Sequence, residues 1–187
     1  LSVPNISLGD SAPSVASVAQ LRGNNLLALN KVSSLSLNAD ERIDVYGDVN
    51  LGNGGLKSLN VSAPLLKGHG GQLQALADVV TLGGLANGDV TSVAPDASTA
   101  GSMKLSAGQL NLGAGHLDVQ GFSSVQLNAA SDVIATALDN GVARNELAVQ
   151  GALTVSASRV STLDGASVSL SSAQDLVLQG NGKAASS

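Results

Sequence analysis

The densest group of chemistry-bearing side chains is Asp40, Glu41, Asp44 and Asp48, with Arg42 among them. Carboxylates at this density suit two chemistries: calcium binding, or the acid pair of a glycan-cleaving β-helix. In an extended strand Asp44, Tyr46 and Asp48 share the face opposite Ile43, Val45, Val49 and Leu51. The apolar set is expected to point inward and the acidic set outward. The plainer reading is a solvated acidic face beside Arg42, and it is favoured on chemical grounds. A sugar-cleaving site gathers carboxylates from successive turns of chain and needs basic and aromatic residues to hold sugar. The neighbouring motifs offer Ser, Asn and Gln instead.

Other candidate motifs are weaker. Gly52-Asn53-Gly54-Gly55-Leu56 has part of the outline of the glycine-rich calcium repeat but lacks its aspartate and is not repeated, so it reads as a turn. His69 and His116 stand in glycine-rich turns with no Asp or Glu at ligand spacing, and are expected to be exposed turn residues rather than metal ligands. There is no Gly-x-Ser-x-Gly elbow and no Gly-Lys-Ser/Thr phosphate loop. No catalytic residue, cofactor or metal is assigned. The best candidate for a contact is the polar stretch Ala86 to Ser102, a loop projecting from a rigid scaffold, with Asn87, Asp89, Asp96 and Thr99 at its surface.

The elements that must position these residues announce themselves by repetition. Two aliphatic residues with one residue between them, usually small or polar, recur as Leu35-Ser36-Leu37, Ile43-Asp44-Val45, Leu59-Asn60-Val61, Leu110-Asn111-Leu112, Leu117-Asp118-Val119, Val125-Gln126-Leu127, Leu153-Thr154-Val155 and Val168-Ser169-Leu170. Within a block the starts lie roughly 6–8 residues apart, and three steps make roughly 23 residues, one coil of a three-sided parallel β-helix. About eight such coils fit the chain. Many gaps are too short for a hairpin and its return strand, which sets the pattern apart from a sandwich.

Composition narrows the function classes. Hydrophobic residues make up 43% of the 187, enough for a core, yet aromatics are only 1%, so that core is built of Leu, Val, Ile and Ala. There are no cysteines, which removes disulfides and thiolate sites. The net charge of -5, without a basic patch or an aromatic platform, argues against nucleic-acid binding. No apolar run is long enough to cross a bilayer as a helix. The first residues lack a signal-peptide pattern, and the chain is expected to be a piece of a longer exported protein.

The organisation expected is an irregular or capping segment over 1–25, a β-helix over 26–180 with insertions near 86–102 and 136–146, and a polar tail over 181–187. Residues 15–21 fit a strand or a short helix equally. The cut edges of such a solenoid predict end-to-end self-association.

Tyr46-Gly47-Asp48-Val49-Asn50-Leu51-Gly52, Leu105-Ser106-Ala107-Gly108-Gln109-Leu110-Asn111-Leu112-Gly113 and Gly121-Phe122-Ser123-Ser124-Val125-Gln126-Leu127-Asn128-Ala129 resemble the filamentous-haemagglutinin-family exoproteins, the large secreted partners of two-partner secretion in Gram-negative bacteria. The resemblance runs from about Leu26 onward. It implies a right-handed parallel β-helix, passage through an outer-membrane transporter, and display as a rod at the cell surface. Members of the family serve as adhesins, haemophore-like carriers, cytolysins or stalks of contact-dependent toxins, and with the solenoid pattern and the lack of a catalytic constellation this chain is expected to be a non-enzymatic rod segment in attachment to a host-cell receptor or glycan. A passive stalk for a contact-dependent toxin and a glycan-active β-helix are the other readings.

Overall fold

A computed structural model describes residues 2–14, 18–52, 55–84, 100–136 and 143–183. Its elements run β1 (Ser2–Leu8), β2 (Ala19–Leu21), α1 (Gly23–Leu29), β3 (Ser34–Val45), β4 (Val49–Leu51), β5 (Ser58–Ser62), β6 (Leu65–Gly68), β7 (Gln72–Gly83) and β8 (Ser102–Leu112). They continue with β9 (Gly115–Gln120), β10 (Ser124–Ala129), β11 (Asp132–Ala135), β12 (Ala143–Val149), β13 (Ala152–Ala157), β14 (Arg159–Thr162), β15 (Ala166–Ser172) and β16 (Leu176–Gly180). All the pairings are parallel, and the sheet winds into a nearly closed, solenoid-like shape.

Three ladders make up the walls. The first stacks β1, β3, β6, β9, β12 and β15, with β2 outside β1. The second stacks β4, β7, β8, β10, β13 and β16. The third stacks β3, β5, β7, β8, β11 and β14. The long strands β3, β7 and β8 serve two ladders each because they bend at a corner, so a single strand covers two walls.

The recurring aliphatic motif is the cause of this register. On the second ladder Val49, Leu73, Met103, Val125, Leu153 and Leu176 fall in one column, and Leu51, Ala75, Leu105, Leu127, Val155 and Leu178 in the next. The third ladder aligns Leu35, Leu59, Val80, Leu110, Val133 and Val160. A slip of one residue would turn each aliphatic pair out to water, so burial fixes the register. The two column residues of each motif point inward and the middle residue outward.

Among the described residues the second and third ladders are six strands deep and the first, counting β2, is seven, against the roughly eight coils that the spacing predicts. Long turns consume chain without adding a layer. The clearest case lies on the first ladder, where β6 pairs directly with β9 although all of β7 and β8 lies between them in sequence. The other two ladders each insert a strand over the same stretch.

The opening segment, expected to be irregular or capping, is partly regular: β1 joins the sheet on β3, and β2 joins β1. Strand β12 begins at Ala143, within the stretch expected as the second interruption, and pairs with both β9 and β15. Residues 85–99 and 137–142, the hearts of the two expected insertions, lie outside the described residues.

Candidate functional site

The acidic group disperses. Asp44 does not face solvent: it is 3% exposed, and its neighbours Ile43 and Val45 are buried as well. Its carboxylate accepts from Arg42 Nε at 2.9 Å and lies 2.7 Å from His69 Nε2. The His69 ring stacks on Tyr46 with centroids 4.1 Å apart and planes 5° from parallel. Burial, then the nearby Asp44 charge, raises the Tyr46 hydroxyl pKa. Asp48 accepts the Gln72 backbone N–H at 2.8 Å, tying one turn to the next. Glu41 accepts from the Asn5 amide at 2.8 Å. Glu41, Asp44 and Asp48 thus serve as separate ties, and the expectation of a solvated acidic face is overturned at Asp44, which points outward but is covered. The reason is local: at Ile43–Val45 strand β3 is covered on both sides, by the core inside and by Arg42 and His69 outside.

His116 corrects a second expectation. It is not an isolated turn residue. Its Nε2 lies 2.9 Å from Asp118 of its own strand, and its Nδ1 lies 3.1 Å from Glu146 of β12. The side chain is only 21% exposed. Burial by itself pulls the imidazole pKa down, but hydrogen bonds to Asp118 and Glu146, followed by their charges, more than offset this, and the net shift is upward. From β6 the residues opposite Asp118, Val119 and Gln120 are Leu65, Leu66 and Lys67. Gly84, buried and the last described residue before 85–99, lies so close that a Cβ there would meet the His116 carbonyl oxygen at 2.1 Å. The cluster therefore sits at the root of the expected contact loop, where the first ladder lacks its layer.

This arrangement ties layers together. The two ring nitrogens point away from each other, each toward its own carboxylate, and among the described residues no three His, Asp or Glu side chains converge on a point. A third tie of the same kind is buried Asp132 of β11, whose carboxylate accepts from Arg159 of β14 at 2.6 Å. Asp44–His69, His116–Glu146 and Asp132–Arg159 are 25, 30 and 27 residues apart, about one coil each. Opposite charges one coil apart were the signal available in the sequence.

The upward shift has a testable sign. The folded pKa of His116 lies above its unfolded value near 6.5, so its contribution to stability is fully present below that value and is lost as pH rises through the folded pKa. Urea denaturation at a series of pH values is expected to show stability falling above about pH 6.5, with a flatter profile over that window in His116→Gln. Equal slopes in both proteins would remove the charged imidazole from the account.

Among the described residues the core is closely filled. The space between Leu37, Ile43, Leu59, Leu66, Met103 and Leu105 amounts to about 20 Å³, roughly one water's worth. On the outside an open groove of about 480 Å³ crosses the layers at the corner of the second and third ladders, past Leu76, Asp78, Ser106, Asn128, Ser156 and Lys183. Asn87, Asp89, Asp96 and Thr99, the expected contact residues, lie outside the described residues.

Fold and surface together define an all-β parallel solenoid with a filled aliphatic interior, tied along one wall by histidine–carboxylate pairs between layers. No family model, curated protein or solved structure matches this chain.

Proposed function

We propose that this chain is a non-enzymatic rod segment of a secreted bacterial surface adhesin, a right-handed parallel β-helix that carries or supports attachment to a host-cell receptor or glycan. Export through an outer-membrane transporter and display at the cell surface belong to the same reading. The observation that carries it is the filled interior. With the core occupied from wall to wall, recognition is left to the outside of the rod. In the sequence, residues 85–99 lie between β7, which ends at Gly83, and β8, which begins at Ser102.

The test is binding of the purified chain to host cells and to a glycan array, beside a variant in which residues 86–99 are replaced by a short Gly-Ser turn. Gly101 and Ser102 are kept because they belong to the stacked backbone. Binding by the intact chain, weakened about tenfold or more in the variant, is the expected result. No binding by either protein would overturn the adhesive role and favour a passive stalk.

A further inference from the structure

The outer faces of the second and third walls carry the same kinds of side chain and use them differently. On the third wall they close on one another: Ser34 Oγ lies 2.6 Å from Ser58 Oγ, Asn60 donates to Ser36 and to Asn38 at 3.2 Å each, and Gln109 donates to Asn111 at 2.8 Å. On the second wall the register sets two outward columns side by side. One holds Asn50, Gln74, Lys104 and Gln126, and the other Leu76, Ser106, Asn128 and Ser156. Among the described residues the side chains of Asn50, Lys104, Ser106, Asn128 and Ser156 have no hydrogen-bond or ion-pair partner.

These side chains line a groove along the side of the rod. Its larger part is the opening of about 480 Å³ at the corner of the second and third ladders. A smaller part of about 260 Å³, beside Asn50, Gln74 and Lys104, meets it at Leu76 and Ser106. Together they run from β4 to the turn after β16, roughly 24 Å at one layer per 4.8 Å. A further coil at either end of the rod would lengthen this groove rather than cover it. Among the described residues Asp78 is the one acid that lines it, and its carboxylate is taken by Lys57 at 2.9 Å. Lys104 and Lys183 line it with no counter-charge. The groove is thus positive within a chain of net charge -5.

We propose that this groove binds a linear acidic polysaccharide, a 1,4-linked chain of uronic acids lying along the rod axis. Charge, chemistry and spacing select that occupant. The two unopposed ammonium groups take carboxylates. The unpartnered amides and hydroxyls offer donors and acceptors to sugar hydroxyls, and Leu76, half exposed, offers apolar surface to the C–H face of a ring. The layers repeat at about 4.8 Å, close to the advance of one sugar along an extended 1,4-linked chain, so successive sugars meet equivalent layers. An extended peptide advances about 3.3 Å per residue and falls out of step with them. This site goes beyond the adhesive reading and does not involve residues 86–99.

Isothermal titration calorimetry of the whole chain with β-1,4-linked mannuronate oligomers tests this. A hexamer is expected to bind, and a dimer, which reaches only two layers, to bind at least about tenfold more weakly. Cellohexaose has the length without the carboxylates, and hexaglutamate has the charge on a peptide; each is expected to bind at least about tenfold more weakly than the hexamer. Lys104→Gln is expected to weaken hexamer binding about tenfold, and Ser106→Trp, which fills the groove, to abolish it. Lys31→Gln removes the same charge at an exposed position outside the groove and is expected to change nothing. Circular dichroism checks that the variants stay folded. The variant with residues 86–99 replaced is expected to bind the hexamer as the intact chain does, so failure here and failure of the adhesive reading are told apart. A nuclear magnetic resonance titration stands independently of the variants: the backbone amides of Ser106 and Asn128 are expected to shift with added hexamer. No binding of the hexamer, a dimer, cellohexaose or hexaglutamate that binds as well, equal weakening by Lys31→Gln, or shifts confined to the other walls would each overturn the proposal.

Discussion

Gly101→Ala is expected to lower the stability of the chain by about 3 kcal/mol or more. Gly101 begins the second wall at φ +106°, where an L side chain is strained. A Cβ there would meet the Gly71 carbonyl oxygen at 2.1 Å. That oxygen cannot retreat freely, because it accepts the Ser102 backbone N–H at 3.0 Å. Gly71 is in the same position one layer down, at φ +81°, and a Cβ on it would lie 2.3 Å from the Gly47 carbonyl carbon. Three stacked glycines thus form the corner between the first and second ladders, and backbone passes over backbone with no space for a methyl group. Strain at positive φ costs about 1–3 kcal/mol and overpacking a similar amount. Urea denaturation of Gly101→Ala beside Gly180→Ala measures it. Gly180 has open space around its Cβ position, and its substitution is expected to change stability by less than about 0.5 kcal/mol. Equal midpoints for the two variants would mean that the corner yields more readily than its hydrogen bonds imply.

Phe122→Ala is expected to cost about 3–5 kcal/mol. Phe122 is the only phenylalanine in the chain and is 1% exposed. It fills a place where the inward column of the first ladder runs Leu8, Val45, Gly68. A Cβ on Gly68 would come within 2.7 Å of the Phe122 ring, so the ring occupies the volume that an aliphatic side chain takes in the other layers. The two positions are therefore coupled. Gly68→Leu alone overpacks the site, whereas Gly68→Leu combined with Phe122→Ala restores volume and is expected to be more stable than the sum of the single changes by about 1 kcal/mol or more. A double-mutant cycle by urea denaturation measures the coupling. Strict additivity would show that the ring and the Gly68 site do not share one space.

Both results trace to features that a one-dimensional reading carries only in part. The alternation of Leu, Val and Ile with small polar residues already implies strands with one face buried, and the short gaps imply parallel stacking over hairpins. Columns such as Val49, Leu73, Met103, Val125 and Leu153 show why this works: a repeated residue type at a repeated step places like above like. The same pattern misplaces Asp44, because alternation assigns every second residue to solvent and says nothing of what covers the outer face. It also leaves His69 and His116 without partners, because those partners are about one coil away and the coil length varies where turns lengthen.

By itself, then, the sequence determined the all-β class, the parallel stacking and the aliphatic core, since these follow from local alternation and composition, which every coil repeats. Only the tertiary structure decided the pairing of histidines with carboxylates, the layer missing beside Gly84, and the ring of Phe122 in place of a side chain at Gly68. Those depend on which coil meets which. That is settled by the lengths of the turns and the volumes of particular side chains, not by the period they share.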